Sequence, residues 1–265
     1  MIAMTQTHNL DLLAIGPHPD DVELFCGGLV IKMAQCGYNT GILDLTRGEL
    51  ASNGDPQTRA KEAAEAARVM GLTLRENLEL PDGALLPWSP NEAIPNERLH
   101  TPTARIVDTL RRLRPALVLI PWQKDRHPDH TQASALLSRA IFLSGLRRYT
   151  TSSHLPPFAP SQVLFYAMRH TFSPSFLVDI SAHAEQKNQA ILCHASQVTP
   201  QGGAATLVGS PQALAAIDAR DRYYGSMLGV ERAEPFFCEN TLGIADPVAH
   251  FRLSAGRLPH FFEKS

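Results

Sequence analysis

The chain has 265 residues, 24 basic and 26 acidic side chains and a formal net charge of −2. That length buries a sizeable core without disulfide staples, and the near-balanced charge excludes a surface built for nucleic acid or for an anionic membrane. Cys26, Cys36, Cys193 and Cys238 show no paired spacing, and Met1–Asn9 carries no charged-then-apolar leader pattern. No apolar run approaches the roughly 20 residues of a membrane helix. The expectation is a cytoplasmic protein with reduced thiols, folded as a single domain over residues 1–265 with its core at about 10–240.

Strand and helix patterns alternate through the first half. Leu10–Gly16 is a short apolar strand, and Cys26–Gln35 has helical spacing ended by Gly37. Thr40–Leu45 is the next strand, and Pro56 opens an alanine-rich helix that Gly71 stops. Leu72–Leu80 contains a third strand, broken by Pro81-Asp82-Gly83. The Pro- and Asn-rich stretch from Pro87 to Thr103 is a surface loop with the character of a lid. Thr103–Leu113 is a helix, Ala116–Ile120 a strand and Asp129–Gly145 another helix. The second half is less regular, with strands at Val163–Ala167 and Phe176–Ile180 and helices at Ala182–Cys193 and Pro211–Leu228. The loop Val198–Ser210 lies between those helices. This alternation predicts an α/β fold, a Rossmann-like and mostly parallel sheet with helices on both faces. Such sheets bind ligands at the carboxyl ends of their strands.

Two clusters sit at such ends: His18-Pro19-Asp20-Asp21 after the first strand and His127-Pro128-Asp129-His130 after the fourth. Together they supply imidazoles and carboxylates in the proportions of a hydrolytic metal site with an open coordination position. Adjacent residues point in roughly opposite directions, so one of Asp20 and Asp21 serves as a ligand and the other stands beside it as a general base. The residues alone do not choose between them. His18 and Asp21 can converge on one ion across the Pro turn, and His130 would complete the set. His127 can donate a proton or polarise an oxyanion, with Asp129 fixing its tautomer. His194 fits either a pocket or the core. Arg47 and Arg59 follow the second strand and are candidates for a substrate anion.

These motifs closely resemble the LmbE/PIG-L-like metal-dependent N-acetylglucosaminyl deacetylases, whose paired signatures match Pro17–Asp21 and His127–His130. Further stretches resemble the bacillithiol branch, which acts on GlcNAc-malate: Asp44–Leu50 with Ser52-Asn53-Gly54, Arg75–Leu78 with Leu80-Pro81-Asp82, Asp125-Arg126, Ser144–Tyr149 and Pro174–Ser181. The resemblance implies metal ligands His18, Asp21 and His130, a general base Asp20, and His127 as electrostatic or acid catalyst oriented by Asp129. Arg59, Arg47, Asn53 and His194 are the candidate substrate-binding residues. The implied cofactor is a divalent metal, Zn²⁺ first and Fe²⁺ as the alternative. The implied partners are a small GlcNAc conjugate and further copies of the chain in a homo-oligomer, a hexamer among the options, with neither nucleic acid nor membrane. Two departures stand out: Pro17 replaces the family's usual Ala, and Arg47-Gly48-Glu49 differs from the acidic version of the bacillithiol branch. The rival expectations are deacetylation of a chitooligosaccharide or another GlcNAc conjugate, and a non-catalytic sugar- or metal-binding protein.

Overall fold

A computed structural model describes residues 9–87, 99–199 and 203–249. The strands are β1 Leu12–Gly16, β2 Thr40–Thr46, β3 Leu74–Leu80, β4 Leu117–Pro121, β5 Gln162–Tyr166, β6 Phe176–Asp179 and β7 Ala233–Phe237. The helices are α1 Asp21–Gln35, α2 Pro56–Met70, α3 Pro102–Leu113, α4 Pro128–Ser144, α5 Ala184–Cys193, the single turn α6 Ala195–Val198, and α7 Pro211–Leu228. The strands form one sheet in the order β3-β2-β1-β4-β5-β7-β6. All pairings are parallel except those of β7, which runs antiparallel to both β5 and β6.

β1 and β2 are buried at every residue, as strands covered on both faces must be. One apolar layer joins Leu12, Ala14, Val30, Ile42, Leu119 and Phe236 beneath α1, α5 and α7. The opposite layer joins Leu13, Ile15, Leu43, Val118 and Ile120 to α3 and α4 through Ile106, Leu110, Leu136 and Leu137. The alternation of these residues along β1 follows the two-residue period of a strand. Helix starts follow their caps: the Asp55 carboxylate accepts from the Thr58 amide at 2.7 Å, and Thr101 and Ser210 accept from the third residue after each. Among the described residues no helix is long and apolar enough to cross a membrane.

The α/β architecture agrees with the sequence expectation, with two differences. α1 begins at Asp21 rather than Cys26 and kinks at Cys26, whose φ and ψ are −144° and 15°. The kink releases backbone donors, and the fully buried Glu234 carboxylate takes them up from Gly28 at 2.9 Å and Leu29 at 2.7 Å. A Cβ on Gly28 would meet Ile180 at 2.7 Å and this carboxylate at 2.9 Å, so only glycine fits there. The second difference is β7, an interior strand that carries both Pro235 and Glu234 and so lacks a strand's usual sequence signal. The expected lid over 87–103 falls largely on residues 88–98, outside the described residues.

Candidate active site

From β1 the chain moves outward to β2 and β3, then returns to place β4 on the other side of β1. The β1–β4 pairing ends at Ala14 and Leu119, so the carboxyl ends of these two strands part into a crevice. One histidine–aspartate cluster descends from each wall. The first is a tight turn between β1 and α1: the Asp21 carboxylate accepts the His18 amide at 3.0 Å, and the Asp21 amide donates to the His18 carbonyl at 3.3 Å. The second sits on α4, with His127 at the N-cap and Pro128 at the first helical position.

The clusters converge on Asp21. Its Oδ2 lies 3.1 Å from His18 Nδ1 and its Oδ1 lies 3.4 Å from His130 Nε2. The ligand atoms of His18, Asp21 and His130 all fall within 4.8 Å of one another, and all three residues are buried. Each imidazole turns its other nitrogen to a carboxylate: His130 Nδ1 is 3.0 Å from Asp125, and His18 Nε2 is 3.1 Å from Asp82 and 3.5 Å from Asp129. Imidazoles that ligate metals are held in this way, with the outer carboxylate fixing tautomer and ring plane. Burial opposes the charge on Asp125, but His130 and the amides of His127 and Arg169 keep it well below the ordinary carboxylate range. Asp82 is held down likewise against burial, by His18 and the Leu50 amide. The donor set therefore fits a divalent ion of the zinc type.

Asp20 and His127 flank this set in the same cavity of about 280 Å³. Burial raises the Asp20 carboxyl to about 6, with Arg59 opposing and Asp21 reinforcing the rise. A base tuned close to neutrality suits proton transfer at physiological pH. His127 is shifted the other way, below its ordinary value, by burial and then by His130 and His18. Its Nδ1 accepts the Asp129 amide at 3.2 Å, which leaves the ring proton on Nε2. Asp129 thus fixes the His127 tautomer through its backbone. Its carboxylate faces His18 and accepts the Gly83 amide at 2.7 Å.

Of the expected substrate-binding residues, the structure brings only Arg59 to the cavity. Arg47 is half-exposed beside Glu79, 4.0 Å away. Both ends of the Asn53 amide are spent on the Ala204 backbone, at 2.9 and 2.8 Å. His194 is fully buried and 2.9 Å from Glu23, in a charge network that continues through Arg75 to Asp44. Four charged cavity residues were missing from the expected set: Asp82, Asp125, Arg126 and Arg169. The first three lie in stretches that carry the family resemblance, but nothing in the local sequence around Arg169 distinguishes it from a surface arginine.

The chain is similar to known deacetylases. The family model described as PIG-L, GlcNAc-PI de-N-acetylase, matches residues 13–141, a span holding both clusters. The diacetylchitobiose deacetylase of Thermococcus kodakarensis is 28% identical over 196 residues, covering 70% of this chain and 69% of that protein. The 1D-myo-inositol 2-acetamido-2-deoxy-alpha-D-glucopyranoside deacetylase of Kineococcus radiotolerans is 26% identical over 162 residues, covering 50% of this chain and 45% of that protein. The crystal structure of the conserved protein TT1542 from Thermus thermophilus superposes with a TM-score of 0.76 at 44% identity, covering 89% of this chain and 98% of that one. The chain belongs to the PIG-L/LmbE-like family and is a hydrolase of its de-N-acetylase class.

Proposed function

We propose that the protein removes the acetyl group from an N-acetylglucosamine conjugate, GlcNAc-malate in bacillithiol biosynthesis being the preferred substrate. The observation that carries this reading is the convergence of His18, Asp21 and His130 with Asp20 and His127 on one cavity. A divalent ion held by His18, Asp21 and His130 would supply a Lewis acid for the acetamide oxygen and an acidified water. Asp20 takes the proton from the attacking water as its oxygen bonds to the carbonyl carbon. His127, neutral and carrying its proton on Nε2, donates a hydrogen bond to the developing oxyanion. The C–N bond then breaks, and the proton held by Asp20 passes to the departing nitrogen, giving acetate and a free amino sugar.

The preference for an acidic aglycone rests on Arg126 and Arg169. Both line the cavity, and among the described residues neither side chain makes a hydrogen bond or an ion pair within 4.0 Å, the charges of Asp125, Asp21 and Asp20 acting on Arg169 from farther off. They are close enough that Arg126, after burial, lowers the Arg169 pKa. A carboxylate would relieve that repulsion and bond to both guanidinium groups. The similarity to a diacetylchitobiose deacetylase supports a second reading, a neutral oligosaccharide substrate.

Acetate release from GlcNAc-malate and from N,N′-diacetylchitobiose separates the two, measured on purified protein before and after chelation and Zn²⁺ or Fe²⁺ restoration. Metal-dependent release from the malate conjugate alone is the expected result. Release from the chitobiose alone would keep the chemistry and replace the substrate, and release from neither would remove the reading.

A further inference from the structure

Asp20 has φ 128° and ψ −27°, a backbone conformation that L residues seldom adopt. Such a residue costs about 1–3 kcal/mol and persists only where its surroundings over-determine it. The carbonyls on either side of the turn are both held. Thr46 donates to the Pro17 carbonyl from its amide and its hydroxyl, each at 3.0 Å. Arg59 Nη2 donates to the Pro19 carbonyl, the one immediately before Asp20, at 2.7 Å. Arg59 Nη1 donates to the Gly48 carbonyl at 3.1 Å, which ties the guanidinium to the loop after β2. The residue is 3% exposed, and its Nε has no partner. A Cβ on Gly48 would lie 1.6 Å from Arg59 Nη1, and its φ of 65° independently favours glycine, so the loop is shaped around this guanidinium.

We infer that Arg59 is a positioning residue: it braces the strained Pro19–Asp20 backbone so that the Asp20 carboxylate faces the reacting water. The inference rests on the reading of Asp20 as the general base. It differs from the expectation that Arg59 binds substrate, because each Nη group donates to a main-chain oxygen, and Nη2 lies 3.5 Å from Asp20 Oδ2. Freed of the brace, the Pro19–Asp20 peptide can rotate toward an ordinary conformation and carry the carboxylate off its mark. Displacement of a catalytic group by about 1 Å costs on the order of 100-fold in rate.

The test compares Asp20→Ala, Arg59→Gln and Arg59→Lys in steady-state deacetylation by the metal-loaded protein, with metal content and thermal melts as controls for folding. The inference expects kcat to fall by about 100-fold in Arg59→Gln, with KM within about 2-fold of the wild-type value. It expects the same pattern in Arg59→Lys, because one ammonium group cannot span the carbonyls of Pro19 and Gly48 while it still supplies charge beside Asp20. Should Arg59→Gln fail to fold or lose its metal, Arg59→Lys carries the test alone. A loss expressed mainly in KM would make Arg59 a substrate contact and overturn the inference. Full activity in Arg59→Lys would make its role one of charge and also overturn it. Residual wild-type turnover in Asp20→Ala would instead remove the reading of the base, a failure distinguishable from that of the brace.

Discussion

Replacement of Lys187 by Met tests how the structure is held together behind the active site. The Lys187 ammonium is 3% exposed and lies 2.5 Å from Asp221 and 2.8 Å from Glu234, themselves 3% and 0% exposed. Glu234 is the carboxylate that takes up the donors freed by the α1 kink. Methionine fills similar volume but removes the cation shared by two buried carboxylates, and removing one partner of a buried ion pair costs roughly 3–5 kcal/mol. Arg220 remains 2.7 Å from Asp221, which places the expected loss near the lower end, about 3 kcal/mol. With a urea dependence of about 2–3 kcal/mol per molar, the midpoint at pH 7.5 should fall by roughly 1–1.5 M. The penalty should also depend on pH. Burial opposes the charge on Asp221, but Lys187 and Arg220 overcome it and hold the wild-type carboxyl below its ordinary value. That contribution is fully present above the unfolded-state pKa of about 3.9 and is lost as pH falls through the lower folded value. Without the ammonium, Asp221 in the variant is relieved by taking up a proton, so the gap between the proteins should narrow from pH 7.5 to pH 5. A loss below about 1 kcal/mol, or a gap of equal size at both pH values, would refute the argument.

Further expectations concern the site and its floor. Tyr166 is fully buried and its hydroxyl donates to the Ile15 carbonyl at 2.9 Å, just beyond the end of the β1–β4 pairing; Tyr166→Phe should cost about 1–3 kcal/mol in urea unfolding by orphaning that oxygen. His127→Phe removes the Nε2 donor and should lower kcat by about 100- to 1,000-fold with little change in KM; unchanged kcat would exclude it from the oxyanion. Asp125→Ala frees the outer nitrogen of His130 and should weaken zinc binding by about 10- to 100-fold, read by competition with a chelating dye.

The alternating periodicities and the two clusters made the mostly parallel sheet, the chain positions of its first four strands and the convergence of His18, Asp21 and His130 legible in the sequence. These features depend on local pattern and on the rule that parallel sheets bind ligands at strand ends. What escaped depends on contacts distant in sequence. β7 stayed hidden because Pro235 and the buried Glu234 suit no strand pattern until Lys187 and the α1 kink are beside them. His194 could not be assigned until Glu23 appeared against its ring, and Arg169 until the cavity wall was built. The orienting carboxylates differ between the two walls. Asp125 lies close enough in sequence to His130 to be guessed, whereas Asp82 reaches His18 from the far end of β3.

The crevice where β1 and β4 part has a mechanical consequence. It is the seam at which one strand run grows outward through β2 and β3 and the other through β5, and the proposed ligands lie on its two lips: His18 and Asp21 on one, His130 on the other. An ion held there would act as a rivet between two strand runs joined by a long stretch of chain, where closure entropy is largest. Binding only to the assembled seam stabilises it by mass action, about 4 kcal/mol when free metal stands at 1,000 times its dissociation constant. Chelation should accordingly speed amide exchange at the tips of β1 and β4 before it loosens β2 or β3, so metal supply would set the protein's lifetime as well as its turnover.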